Sequence, residues 1–271
     1  MNPVDCKTRA GKSLLESPPE ILGWDVTGVV DKVGYGVTRF AEGDEVLGMP
    51  WFPLPGGAYA EYVTAPSRQF VRRPPTMTVA QAAGLPLAGL TAWQSLVDTA
   101  RVRAGQEVLV HAASGGVGHL AVQIAKALGA HVIGTASEAN HAVLSELGVD
   151  RLVDYHSTRF EDVLHDMDVV LDLVGGDTGL RSLDVVHPDG ILIAVPSGLS
   201  KQTLAVAQER GRRATGILVE PDQLGLDGLV GLFTEGKLTV LVSDEFPVER
   251  IAEAHERAEQ GHAPGKIVVT F

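Results

Sequence analysis

The chain has 271 residues, with 22 basic against 34 acidic side chains, a formal charge of −12, 45% hydrophobic residues and a single cysteine. That is globular usage, richer in apolar residues than a disordered chain, and one cysteine excludes an internal disulfide or a four-thiolate zinc site. The acidic balance argues against a nucleic-acid binder, which needs a basic face for phosphates. No apolar run reaches the ~18 residues of a spanning helix, and residues 1–12 carry no export signal, so a cytoplasmic protein is expected.

Residues 1–85 are rich in Gly and Pro, with short β-rich runs at 26–33, 45–47 and 57–64 separated by turn clusters such as Glu42-Gly43-Asp44. Such spacing predicts an irregular β unit. Pro74-Pro75 interrupts the chain, and a helix is expected from Val79. From about Gln106 strands alternate with helices: strands at 107–110, 131–134, 151–154, 168–174, 191–195 and 216–219, and helices at 117–128 and 142–147. Apolar strands alternating with amphipathic helices predict a parallel sheet covered on both faces. A helix at 251–260 and a strand at 266–271 close the chain.

The strongest chemical signal is Ala112-Ala113-Ser114-Gly115-Gly116-Val117-Gly118, which follows a strand and opens a helix. In a dinucleotide fingerprint the key positions fall on Ala113, Gly115 and Gly118. The helix N-terminus offers free N–H groups and partial positive charge to a diphosphate. A Gly-rich turn without ligand is the plainer alternative. At the end of the second strand of the alternating region, where an NAD site carries an acid, stand Ala136 and Ser137. A serine hydroxyl can donate to a 2′-phosphate that a carboxylate would repel, which favours NADPH; Ser137 can equally serve as a helix N-cap. His141, Arg151 and Arg159 are the nearest cationic candidates, and Tyr155 can pack on the adenosine phosphate. Strand-end positions in such sheets meet the ligand, which adds Val174, Gly175, Pro196, Ser197, Leu218 and Val219 near the nicotinamide.

Asn2-Pro3-Val4-Asp5, Gly23-Trp24-Asp25-Val26-Thr27-Gly28-Val29-Val30, Gly43-Asp44-Glu45-Val46, Gly57-Ala58-Tyr59-Ala60-Glu61-Tyr62, Leu90-Thr91-Ala92-Trp93 and Gly265-Lys266-Ile267-Val268 occur together and in order. With the glycine loop they resemble the medium-chain dehydrogenase/reductase superfamily, in its zinc-independent quinone oxidoreductase (zeta-crystallin-like) branch. The resemblance runs the length of the chain. It implies a discontinuous GroES-like catalytic domain (1–85 and 237–271), a Rossmann NADPH-binding domain (86–236), and an active site in the cleft between them. Family members carry strands before the Asn-Pro-x-Asp segment, so those first strands are expected to be lacking here. The zinc alcohol dehydrogenases place a cysteine where Asn2 stands and a His-Glu pair at Trp24-Asp25, so a metal-free site is expected.

Without a metal, the acceptors that suit are already electrophilic: a quinone or an α,β-unsaturated carbonyl held in near-attack geometry. The resemblance gives Asn2 and Tyr59 as donors to the developing oxyanion, Asp5 as an orienting group, and Thr91 and Lys266 as cofactor contacts. Each has a structural alternative: an Asx turn before Pro3 for Asn2, a strand aromatic for Tyr59, a local hydrogen bond for Asp5. Trp51 and Phe52 are candidate pocket aromatics. The resemblance also implies a homodimer. Rival readings are an enoyl or tailoring reductase and a non-catalytic NADPH-binding protein.

Overall fold

The computed structural model describes residues 1–12, 19–196, 198–261 and 264–271. It divides into two compact units, Met1–Leu90 with Val219–Phe271, and Thr91–Leu218.

The first unit opens on helix α1, Pro3–Arg9. Proline suits the first helical turn, and the Asp5 carboxylate accepts the Asn2 N–H at 2.6 Å. Strands β1 (Val26–Val29), β2 (Glu45–Gly48) and β3 (Phe70–Arg72) form an antiparallel sheet in the order β1-β2-β3. Two details differ from the sequence expectation. The first strand ends at Val29, because the stretch 31–33 is exposed and has no apolar face to cover. The run 57–64 is not a strand: Ala58 and Tyr59 donate to the carbonyls of Gly23 and Leu22, and there the pairing stops. The third strand is instead the three-residue β3, too short to stand out beside Pro74-Pro75. Helix α2 (Val79–Gly84) starts on a reciprocal cap, in which Thr78 Oγ1 accepts from the Gln81 N–H at 3.2 Å and Gln81 Oε1 from the Thr78 N–H at 3.1 Å. Helix α3 spans Pro86–Trp93 and continues as a π-helical turn, Gln94–Thr99.

The second unit holds six parallel strands: β4 (Glu107–Val110), β5 (His131–Ala136), β6 (Arg151–Asp154), β7 (Met167–Asp172), β8 (Val186–Ala194) and β9 (Arg213–Gly216). Their order is β6-β5-β4-β7-β8-β9. Helices α4 (Gly118–Ala127), α5 (His141–Glu146), α6 (Asp177–Ser182) and α7 (Lys201–Glu209) connect them. Leu109, Ile133, Val153, Val170 and Leu192 pack with Phe160, Leu164, Leu183 and Ala207 in one core. The chain leaves β4 toward β5 on one side and later returns to β7 on the other, so the sheet has its switch point at the end of β4, where ligands of such folds bind. The last strand lies three residues earlier than the apolar run 216–219 suggested. It is an edge strand, half exposed, and an edge needs no continuous apolar run.

The chain then returns to the first unit. Helix α8 (Gln223–Thr234) contains Gly225, Gly228 and Gly231, yet Asp222 anchors it, accepting the N–H groups of Leu224 at 3.0 Å and Gly225 at 2.7 Å. Strands β10 (Val242–Pro247) and β11 (Lys266–Thr270) pair in parallel, with helix α9 (Ile251–Gln260) between them. Among the described residues no helix is long and apolar enough to cross a membrane.

One buried ring reports on this packing. His111 is 2% exposed just past the end of β4, with Nδ1 3.1 Å from Thr135 Oγ1 and Nε2 3.1 Å from Ser182 Oγ. Burial, with the charge of Arg181 adding to it, lowers its pKa from 6.5 to about 3. The unfolded chain therefore takes up this proton first, and stability present above pH 6.5 is lost as pH falls toward 3. One proton corresponds to about 1.4 kcal/mol per pH unit. Urea unfolding of His111→Gln between about pH 6 and 4.5 is expected to show a slope shallower than wild type by about that amount.

Candidate active site

The loop between β4 and α4 is shaped by small residues. Ala113 is fully buried and donates its N–H to the Thr135 carbonyl at 3.0 Å. It packs on β5 so closely that a Cβ at Gly134 would lie 2.9 Å from the Ala113 Cβ. At Gly118 a Cβ would stand 2.3 Å from the Ala112 carbonyl oxygen and 2.7 Å from that of Ala113. Only glycine lets the first turn of α4 seat against the end of β4. Ser114, Gly115, Gly116 and Val117 form the half-buried rim between them. The first-turn N–H groups of any helix lack partners within the helix. Here no side chain caps α4, which leaves the turn suited to an anion. The Gly115 carbonyl accepts the His119 N–H at 3.0 Å and lies 2.9 Å from His119 Nδ1.

The other expected cofactor contacts follow the carboxyl ends of neighbouring strands. Ser137 follows β5, and its hydroxyl accepts from Asn140 Nδ2 at 3.2 Å. It stands at the start of a short 3₁₀ turn but makes no side-chain cap bond there. Tyr155 follows β6, 48% exposed, with its ring 4.3 Å from that of His156. Val174 and Gly175 follow β7, and Pro196 follows β8; Ser197 lies outside the described residues. Thr91 is buried in α3. Leu218 and Val219 lie beyond β9 rather than within it, Leu218 exposed and Val219 buried. Of the cationic candidates, Arg151 opens β6 and so sits at the opposite end of that strand from Tyr155. Arg159 pairs with Glu161 at 2.8 Å, and His141 Nε2 is 3.4 Å from the Ala136 carbonyl at the end of β5.

Asp172, the last residue of β7, also belongs to this rim, and the sequence pattern did not single it out. It is 1% exposed, and its Oδ1 accepts the N–H groups of Val174 and Gly175, each at 2.9 Å. It thereby sets the turn after β7. Its Oδ2 is buried without a hydrogen-bond partner, and burial raises its pKa.

In the first unit, Asn2, Asp5, Tyr59 and Lys266 come together. The Asn2 carboxamide donates from Nδ2 to Asp25 Oδ2 at 2.7 Å and accepts at Oδ1 from the Lys266 ammonium. Lys266 Nζ is 3.5 Å from Asp25 Oδ2, and Asp25 Oδ1 accepts the Leu87 N–H at 2.7 Å. Lys266 is 3% exposed, so this is a buried ion pair bridged by an amide. A cavity of about 40 Å³ adjoins it, lined in part by Asn2, Asp5, Asp25 and Tyr59. Asp5 Oδ1 and the Tyr59 hydroxyl are both buried without hydrogen-bond partners. Burial foremost, then the negative charge of Asp5, pushes the Tyr59 phenol far above its ordinary range. Burial also raises the pKa of Asp5. Cys6 lies 3.4 Å from His255 Nδ1; burial raises the thiol and lowers the imidazole, which opposes an ion pair between them. Phe52 is a core residue, edge-on to Trp24 at 5.4 Å, whereas Trp51 is 38% exposed and donates from Nε1 to the Thr64 carbonyl.

Residues 147–269 match the family described as Zinc-binding dehydrogenase, and residues 1–75 match the Alcohol dehydrogenase GroES-like domain. The NADPH-dependent alkenal/one oxidoreductase of Arabidopsis thaliana chloroplasts is 35% identical over 280 residues, covering 99% of this chain and 69% of that protein. The quinone oxidoreductase of Coxiella burnetii superposes with a TM-score of 0.94 at 38% identity, over 100% of this chain and 87% of that one. The Escherichia coli quinone oxidoreductase complexed with NADPH does so with a TM-score of 0.88 at 27% identity, over 100% and 88%. The chain belongs to the medium-chain dehydrogenase/reductase superfamily, with a six-stranded parallel sheet and a GroES-like domain.

The first family description implies zinc, but the residues that the family resemblance sets in place of the alcohol dehydrogenase ligands, Asn2, Trp24 and Asp25, do not suit it. A zinc site needs three N, S or O donors with lone pairs to give. Trp24 offers only an N–H, donated to the Leu54 carbonyl at 2.7 Å. Asn2 and Asp25 already share the Lys266 ammonium, whose charge opposes a second cation. Among the described residues no group of three or more His, Cys, Asp or Glu could hold a metal ion.

Two substitutions test the cofactor rim. Gly118→Ala is expected to cost about 1–3 kcal/mol through overpacking and to weaken NADPH about tenfold or more by shifting the anion-binding turn, read by fluorescence titration. Asp172→Ala strands two N–H groups and is expected to lower stability by about 2 kcal/mol or more. Asp172→Asn keeps the accepting oxygen and loses less, as thermal unfolding of the pair will register.

Proposed function

We propose that this chain is an NADPH-dependent oxidoreductase that delivers hydride to a quinone or an α,β-unsaturated carbonyl without a metal ion. The observation that carries the reading is the side-chain-free seat of Gly118 against the carbonyls of Ala112 and Ala113 at the sheet's switch point, an arrangement fitted to a diphosphate. The names of the relatives, quinone oxidoreductase and NADPH-dependent alkenal/one oxidoreductase, support the acceptor class and the cofactor.

Ser114 to Gly118 hold the diphosphate through backbone N–H groups. Ser137 donates its hydroxyl to the 2′-phosphate, and Tyr155 packs beside the adenosine. The turns bearing Val174, Gly175, Pro196, Leu218 and Val219, with Thr91, border the nicotinamide, which supplies hydride when bound. The acceptor gains two electrons with that hydride, and one proton from water completes the hydroquinone or the saturated carbonyl. A phenol held protonated by burial donates a hydrogen bond without surrendering its proton, so Tyr59 and Asn2 stabilise the oxyanion while water protonates it. The reading extends to a homodimer in the cytoplasm.

Stopped-flow oxidation of NADPH and NADH with a panel of quinones and enones tests it. Turnover is expected with NADPH ahead of NADH; oxidation of neither by any acceptor would end the proposal. Ser137→Asp is expected to weaken NADPH about tenfold or more relative to NADH. A zinc chelator is expected to leave the rate unchanged.

A further inference from the structure

The ends of an asparagine carboxamide carry opposite polarity, an accepting oxygen and a donating nitrogen. In this chain the Asn2 oxygen meets the Lys266 ammonium and its nitrogen meets the Asp25 carboxylate. Rotating the amide by half a turn would set oxygen against carboxylate and NH₂ against ammonium, two mismatches at once. Both charged partners therefore select the same orientation, and both are buried: the Lys266 side chain is 3% exposed and that of Asp25 6%. Asp25 is itself held, since its other oxygen accepts the Leu87 N–H. Three stretches distant in sequence thus fix one side chain. The Asn2 amide keeps a second N–H not used by Asp25, and Asn2 lines the small cavity that Asp5 and Tyr59 also line. That cavity is large enough for water and is bordered by polar groups able to bind it.

We propose that Lys266 is a positioning residue, which together with Asp25 locks the Asn2 carboxamide so that its remaining N–H serves as an oxyanion donor. This rests on the role given to Asn2 above and assigns Lys266 to the amide rather than to the cofactor. Its ammonium has no need to touch acceptor or nicotinamide: it acts through Asn2.

The test compares Lys266→Met with the double variant Lys266→Met/Asp25→Asn, which removes both buried charges together, so that the loss of one partner does not strand the other. In the full chain, Lys266→Met is expected to lower kcat by about tenfold to a hundredfold, as misplaced groups do, with the NADPH dissociation constant within about twofold of wild type. The double variant should recover the wild-type melting temperature more fully than it recovers kcat. A direct readout is the Asn2 side-chain amide in ¹⁵N-resolved NMR spectra: two distinct, slowly exchanging N–H signals in the wild type, shifted and exchanging faster in Lys266→Met. An unchanged Asn2 amide would overturn the proposal whatever happens to activity. So would a tenfold loss of NADPH affinity with kcat intact, or full return of kcat along with stability in the double variant. If the wild type oxidises NADPH with no acceptor, the proposed function fails, and the amide signals still decide whether Lys266 orients Asn2.

Discussion

A helix can meet the end of a strand at close quarters only where the backbone has nothing to push it away. Residue 118 is that place: its missing side chain lets two carbonyls of the preceding turn approach within a distance no Cβ would allow. The rest of the cofactor rim depends on that approach. It brings the first turn of α4 to the sheet's switch point and presents donors where the strands end. Ala113 buttresses the same turn from the β5 side, against a glycine that makes room for its methyl group.

Buried polar groups then do different work in the two units. In the parallel sheet, His111 stays neutral between two hydroxyls and Asp172 turns its carboxylate onto the next two amides, so each stabilises a loop boundary. In the other unit the buried groups are ionic, and a single amide lies between opposite charges. Breaking one member of such an arrangement costs more than replacing it whole, which makes the cluster a means of fixing geometry more than a source of stability.

The sequence was most legible where periodicity and burial coincide. Helix α9 matches its expected span, and strands β4 and β6 do as well, because their apolar pattern and turn residues agree. It was least legible where structure rests on partners distant in the chain. Strand β3 is three residues long and is held by pairing with β2. Helix α8 carries three glycines and depends on the Asp222 cap. Strand β9 lies on an edge, so the run Ile217-Leu218-Val219 drew the expected strand past its true end. Among candidate site residues, the tight glycine turn before α4 was legible from spacing alone. The Lys266–Asn2–Asp25 cluster was not, since it joins residues as much as 264 positions apart. The resemblance singled out Asn2 and Lys266 separately, and a lone lysine opens the largely apolar terminal strand, but neither clue joined them.

The bond between His119 and Gly115 has one more effect. A trans peptide is planar, with its oxygen and its hydrogen on opposite sides. The Gly115 oxygen is drawn toward α4 by both the backbone and the imidazole of His119. The hydrogen of the same peptide unit, on Gly116, must then face the other way, out of the turn. A fully buried histidine thus sets the direction in which a neighbouring backbone hydrogen points.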